Sequence, residues 1–166
     1  MKGQQKLFDV ETESKKMSDK IKSLISELAE IELQRPWSEE QSLLECAPKI
    51  FAGSARKQIG LYKIIHNKEV KYVGMGNVNI RKSVHCQIFR NKGKAYISDI
   101  KGTSTDSPCA RKMYNHDKNL ENWRISYLVM DNSIDRCVAD AVMKEAEKML
   151  VEKLKPPFCL EYMVGK

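Results

Sequence analysis

The stretch IGLYKIIHNKEVKYVGMG, residues 59–76, decides the fold. Two β-prone runs, IGLYKII and VKYVGM, flank the polar HNKE, a connection of hairpin length, so the spacing predicts a β-hairpin. Just beyond it, Asn77 can cap a helix in which Ile80, Val84 and Ile88 form an apolar stripe, with Arg81 and His85 four apart on one flank. Residues 91–122 then form a basic insertion rich in Lys, Asp, Ser, Asn and Gly, with Tyr96 and Tyr114 among the cations. From Arg90 to Arg124 there are 8 Lys or Arg against 4 Asp or Glu, an excess suited to lying against a phosphate backbone or entering a groove. A third strand, RISYLVM at 124–130, leads to a helix from Asp135 to Leu154 that Pro156 and Pro157 terminate. The expected class is α+β, a small three-stranded sheet flanked by helices in the order β-β-α-β-α.

Upstream, Met17, Ile21, Leu24, Ile25, Leu28, Ile31 and Leu33 recur largely at three- and four-residue spacing, which predicts an amphipathic helix from about Val10 to Gln34. Pro36 ends it. Ser38 followed by Glu39, Glu40 and Gln41 has the form of a second helix start, running toward Cys46, and Pro48 and Gly53 mark a boundary. Residues 1–55 are therefore expected to form a helical arm, for dimerisation or for clamping nucleic acid or the core domain, and residues 56–166 the main domain.

Length and composition set the outer limits. The chain has 166 residues, 42% apolar and 31% charged, enough for one compact domain with an appendage. No run of about 18 apolar residues exists to span a bilayer, and the N-terminal residues lack the apolar core of a signal peptide, so a cytoplasmic protein is expected. Five scattered cysteines without a CxxC pair argue for reduced thiols and against a zinc site; Cys109 and His116 have no second pair to complete one. The net charge of +7 is uneven: residues 1–50 hold 8 Lys or Arg against 10 Asp or Glu, whereas residues 51–166 hold 21 against 12, a net of +9. Such an excess points to a polyanionic partner, nucleic acid first, through counterion release.

Gly60-Leu61-Tyr62, then nine residues, then Tyr72-Val73-Gly74, with Arg81 on the next helix and Glu147 ahead of LVEKLKPPFC, resembles the GIY-YIG nuclease domain over about residues 59–159. The resemblance implies a metal-dependent endonuclease acting on double-stranded DNA, most like the small restriction or homing members, with Tyr62, Tyr72, Arg81, His85 and Glu147 as catalytic residues. It implies Mg2+, with Mn2+ a substitute, held by Glu147, and no organic cofactor. The residue chemistry fits phosphodiester hydrolysis. A tyrosine whose pKa is lowered by a cation can take a proton from water, Arg81 offers a planar fork to non-bridging oxygens, and His85 can assist proton transfer or contact the phosphate. The helical wheel does not choose between Glu145 and Glu147; only the family spacing favours Glu147. Lys63, Lys82, Lys92, Lys94, Arg111 and Lys112 are candidate DNA contacts. Cutting both strands with one site per chain suggests a homodimer. Two departures stand out: Cys159 occupies the position of the family's closing Asn, and Met75 follows YVG where a cation is common. A DNA-binding module with a decayed site, or a structure-selective repair or phage nuclease, are the alternative functions.

Overall fold

The computed structural model describes residues 2–44, 59–90, 92, 107–130 and 134–159. Along the chain run α1 (Lys2–Leu33), β1 (Gln41–Ser42), β2 (Ile59–His66), β3 (Glu69–Asn77), α2 (Val78–Arg90), α3 (Pro108–His116), β4 (Trp123–Val129) and α4 (Arg136–Leu154). The fold is mixed α+β with a four-stranded sheet in the order β1-β4-β2-β3, every pairing antiparallel.

The expected hairpin forms with β2 as the central long strand. Its turn is Asn67-Lys68, both at positive φ (50° and 67°), the left-handed pair that a two-residue type I′ connection demands. Tyr62 stands opposite Gly74 on β3 and Tyr127 on β4. Because side chains alternate across a strand, Leu61 faces one side of the sheet and Tyr62 the other. The Leu61 side packs with Val73, Leu128 and the inner residues of α4, Ala139, Val142, Met143, Ala146 and Leu150, with Ala29 of α1. The Tyr62 side packs with Ile64, Trp123 and Ile125, Phe89 of α2, Cys109 and Met113 of α3, and Leu43.

Two expectations need correction. The sheet has four strands rather than three, and the helix foreseen from Ser38 does not start there. Ser38 instead joins the outer edge of β4: its N–H donates to Tyr127 O at 2.8 Å, its Oγ accepts from Tyr127 N at 3.0 Å, and Ser126 Oγ donates to its carbonyl at 2.9 Å. The polar groups of an open strand edge outbid a helix start of one turn. A third point was missed: the insertion holds α3, where Ser107 Oγ accepts from Ala110 N at 3.2 Å and Pro108 sits in the first turn. Cys46, Pro48, Gly53, Lys94, Tyr96 and the side chains of Ile80 and Lys82 lie outside the described residues.

At the hairpin end of the α3 face, His66 Nε2 and Asp117 Oδ2 are 2.8 Å apart, and Trp123 Nε1 donates to Asp117 O at 3.0 Å. Hydrogen bonds from Asn122, His66 and Asn119 lower the Asp117 pKa to about 2.

The turn yields a stability prediction. A lysine in the left-handed region costs about 1–2 kcal/mol and a glycine there does not, while glycine loses about 0.5–1 kcal/mol to chain entropy. Lys68→Gly is therefore expected to stabilise the fold by roughly 0.5–1 kcal/mol in urea unfolding.

Candidate functional site

The outer edge of β3 is where the sequence-predicted residues meet. In an edge strand, alternate residues turn their backbone polar groups away from the sheet, and these need partners. Phe158 N donates to Lys71 O at 3.0 Å. The Cys159 thiol serves Val73 twice, accepting from its N–H and donating to its carbonyl, each at 3.4 Å. Glu147 accepts the N–H of Met75. Thus α4 and the segment after it cover the free edge, and the carboxylate arrives beside the tyrosines for that reason. Glu145, which the wheel left equivalent, pairs with Lys148 at 3.6 Å instead.

Glycine makes room for the aromatic pair. A Cβ on Gly74 would lie 2.5 Å from Tyr62 Oη and 2.7 Å from Tyr72 Cε1, so the ring of Tyr62 crosses the face of β3 only because that position is bare. The two rings are 6.0 Å apart and tilted by 42°, and the Tyr62 hydroxyl donates to Tyr72. Gly76, at φ +136°, holds a conformation that L side chains rarely adopt, and a Cβ there would lie 3.3 Å from Arg81 Nε. The turn from β3 into α2 thereby brings the guanidinium over the strand end.

Depth separates the cluster into two layers. Tyr62 is only 3% exposed and His85 fully buried, whereas Tyr72 and Glu147 are half-buried and Arg81 is exposed. Burial raises the Tyr62 hydroxyl well above its usual 10, the adjoining Tyr72 adds to the shift, and Arg81 opposes it without prevailing. Tyr72 is raised too, chiefly by burial, with Cys109, Cys159 and Glu147 contributing. Burial likewise raises Glu147, while Arg81 and the Met75 N–H pull it down. His85 Nδ1 donates to Arg81 O at 2.7 Å, its ring meets Tyr62 edge-on at 5.6 Å, and its Nε2 has no partner among the described residues. Burial lowers its pKa to about 4, so it is a neutral imidazole at neutral pH.

All five predicted catalytic residues therefore belong to one cluster. The cations divide. Lys112 lies within electrostatic reach of Cys109 and Cys159, beside the tyrosines. Lys63 points to the opposite face of the sheet, with Nζ 3.7 Å from the Trp37 ring centroid, and burial and Lys153 lower its pKa. Arg111 and Lys92 are exposed, and Lys94 and the Lys82 side chain lie outside the described residues. Cys109 is the neighbour that sequence reasoning missed, and the Ser107-Pro108 helix start was the signal that could have placed it. Cys109 and His116 sit two turns apart on α3, and among the described residues no three His, Cys, Asp or Glu side chains converge to hold a metal. No described helix is long and apolar enough to cross a membrane.

Comparison with known proteins finds no family model, no curated protein and no solved structure that matches the chain.

Two predictions follow from this geometry. Gly74→Ala must displace the Tyr62 ring, and overpacking of this kind is expected to cost about 1–3 kcal/mol in denaturant unfolding. The second concerns pH. The folded pKa of His85, about 4, lies below its unfolded value of 6.5, so its contribution is complete above pH 6.5 and is lost as pH falls toward 4, where the unfolded chain takes up the proton first. His85→Gln should flatten the stability profile across that window, while the loss from Asp117, between its unfolded 3.8 and about 2, persists.

Proposed function

We propose that the cluster of Tyr62, Tyr72, Arg81, His85 and Glu147 hydrolyses phosphodiester bonds of double-stranded DNA, as the resemblance to the GIY-YIG nuclease domain implies. The observation that carries the reading is the meeting of Arg81 and Glu147, from two helices, with the hydrogen-bonded tyrosine pair of two adjacent strands. Within that reading β2, β3, α2, β4 and α4 are the nuclease core, and β1 and α3 are additions to it.

Each residue has a task set by its depth. Hydrolysis requires water to attack phosphorus while the bond to the leaving oxygen breaks and that oxygen gains a proton, with negative charge building on the non-bridging oxygens. Arg81, exposed and permanently charged, presents two N–H donors to those oxygens. Tyr72, whose oxygen already accepts from Tyr62, has its own O–H left to donate outward to phosphate or water. Tyr62 hydrogen-bonds Tyr72 and fixes it; burial raises its hydroxyl, so service as the water base needs the charge of Arg81 and of a bound cation to bring its pKa down. His85 supports the ring of Tyr62 from inside and, fully buried, does not touch a phosphate. Glu147 is the residue that would hold Mg2+ or Mn2+. One half-buried carboxylate suits a hard ion that keeps most of its waters and shares the substrate's phosphates, and does not suit an all-protein cage. When bound, the ion supplies charge neutralisation at the phosphate. Lys112 and Arg111 on α3 offer cations for the neighbouring backbone.

A DNA-binding module without cleavage is the second reading, favoured by the burial of Tyr62 and by the Cys159 thiol, spent on Val73, at the closing position. Incubation of the full chain with sequence-diverse plasmid or phage DNA, with Mg2+ and with chelator, separates the two. Discrete Mg2+-dependent fragments support a restriction-like enzyme, and preference for branched DNA supports a structure-selective one. A shifted band with uncut DNA under every condition supports the binding module and sinks the nuclease reading. In the nuclease case, Glu147→Gln is expected to lower the cleavage rate by about 10²–10³-fold, with DNA affinity changed less than about threefold in a gel-shift titration.

A further inference from the structure

The long helix α1 carries two apolar faces, and the fold uses one of them. Ala29 is fully buried, and Leu28 and Leu33 pack beside it against the core that holds α4. Roughly 100° around the helix lies a second stripe, Met17, Ile21, Leu24 and Ile31, exposed by 62, 51, 56 and 57%. These residues recur at the steps of a coiled-coil heptad, with Ile21 at a and Met17, Leu24 and Ile31 at d; the other a position, Leu28, lies on the border of the two faces, partly buried against the core and partly open to the seam. Scattered single apolar residues on a surface need no partner, but a continuous seam of this length does.

We propose that this stripe binds the same stripe of a second copy of the chain, with the two α1 helices antiparallel. The occupant and the orientation both follow from the charges beside the seam. The two flanks differ. Ile25 and Glu32, at e, lie on the side turned toward the protein's own core and are partly buried, whereas Lys20 and Glu27, at g, lie on the free side and are exposed. In a parallel pair each g residue meets an e residue of the partner. Glu27 would then oppose the partner's Glu32, twice by symmetry, Lys20 would face the partner's Ile25, and each free flank would run into the flank that the partner's own core occupies. In the antiparallel pair, a layers meet d layers: Ile21 packs on the partner's Leu24 and Met17 on the partner's Leu28. The free flanks then face each other, and Lys20 meets the partner's Glu27 at both symmetry-related positions. The free flanks are thus complementary in charge in the antiparallel orientation, whereas in the parallel one Glu27 gains no cation, because the Arg35 beside Glu32 is already paired with it at 2.7 Å.

The proposal concerns association alone and stands whether or not the protein cuts DNA. Sedimentation equilibrium of the full chain is expected to show a dimer. Leu24→Glu, at an exposed position that spares the core, should weaken it by at least about 100-fold. Lys20→Glu and Glu27→Lys should each weaken it by about tenfold, and the double variant K20E/E27K should return to within about threefold of the unaltered chain. A monomer at about 100 μM, or a dimer indifferent to L24E, overturns the surface. Orientation is read by disulfide trapping in a Cys137→Ser background. A mixture of Met17→Cys and Leu28→Cys chains should cross-link to each other, and Met17→Cys alone, about 16 Å from its copy in the antiparallel pair, should not. Efficient cross-linking of Met17→Cys alone, or failure of the double variant to recover, overturns the antiparallel arrangement.

Discussion

Among the described residues strand β3 has a sheet neighbour on one side only, and other groups satisfy the polar atoms along its outer edge. Side chains and one backbone amide do this work: Phe158 for Lys71, Cys159 for Val73, Glu147 for Met75. An unmet buried donor costs about 1–3 kcal/mol, so these contacts hold the end of α4 and its following turn against the sheet with some force. The candidate site depends on that arrangement, because the carboxylate that covers Met75 is the one that lies beside Tyr72 and Arg81. Fold and site share the same hydrogen bonds here. The identity of residue 159 can be seen in this light: an amide at that position can both donate and accept, and a thiol can do the same, more weakly, for the N–H and carbonyl of Val73.

Burial gives the tyrosine pair its character. A hydroxyl inside the protein resists ionisation, and the nearby Arg81 does not reverse this. The inner layer of Tyr62 and His85 therefore carries protons in fixed places, neutral phenol and neutral imidazole, while the outer layer of Tyr72, Arg81 and Glu147 meets solvent. A preorganised inner layer lets the outer hydroxyl keep one orientation, which is worth more in a site than a freely rotating donor.

Much of this was legible in the sequence where the signal was local. The hairpin followed from two β-prone runs and a polar turn, α4 from Asp135 and the paired prolines, and the clustering of Tyr62, Tyr72, Arg81 and Glu147 from a motif whose spacing reflects strand pairing. What was not legible depended on distant partners. Ser38 has every local mark of a helix start, yet its hydroxyl bonds to Tyr127, far along the chain. Glu145 and Glu147 were equivalent on a helical wheel until the edge of β3 chose between them. Lys63 looked like a DNA contact from charge alone, but the alternation along β2 that sends Tyr62 to one face sends Lys63 to Trp37 on the other. The departure was predictable in principle, since neighbours on a strand cannot serve the same face.

From Ile25 onward the N-terminal segment packs on the rest of the chain, while residues 12–24 are exposed. Leu43 is buried with Trp123 and Tyr62, and Ala29 of α1 with Ala146 of α4, one residue from Glu147. Both alanines are fully buried in one core cluster, so a bulkier side chain at either position would overpack it and strain the seat of α4, which carries Glu147. The core-facing side of α1 thus supports the site at second hand, through the helix it packs on. Its other side is left free for different business, and the two roles are compatible because about a quarter-turn of helix separates them. A single amphipathic pattern read from sequence merges these faces into one broad stripe. Only the exposure of Met17, Ile21, Leu24 and Ile31 beside a buried Ala29 resolves it into two.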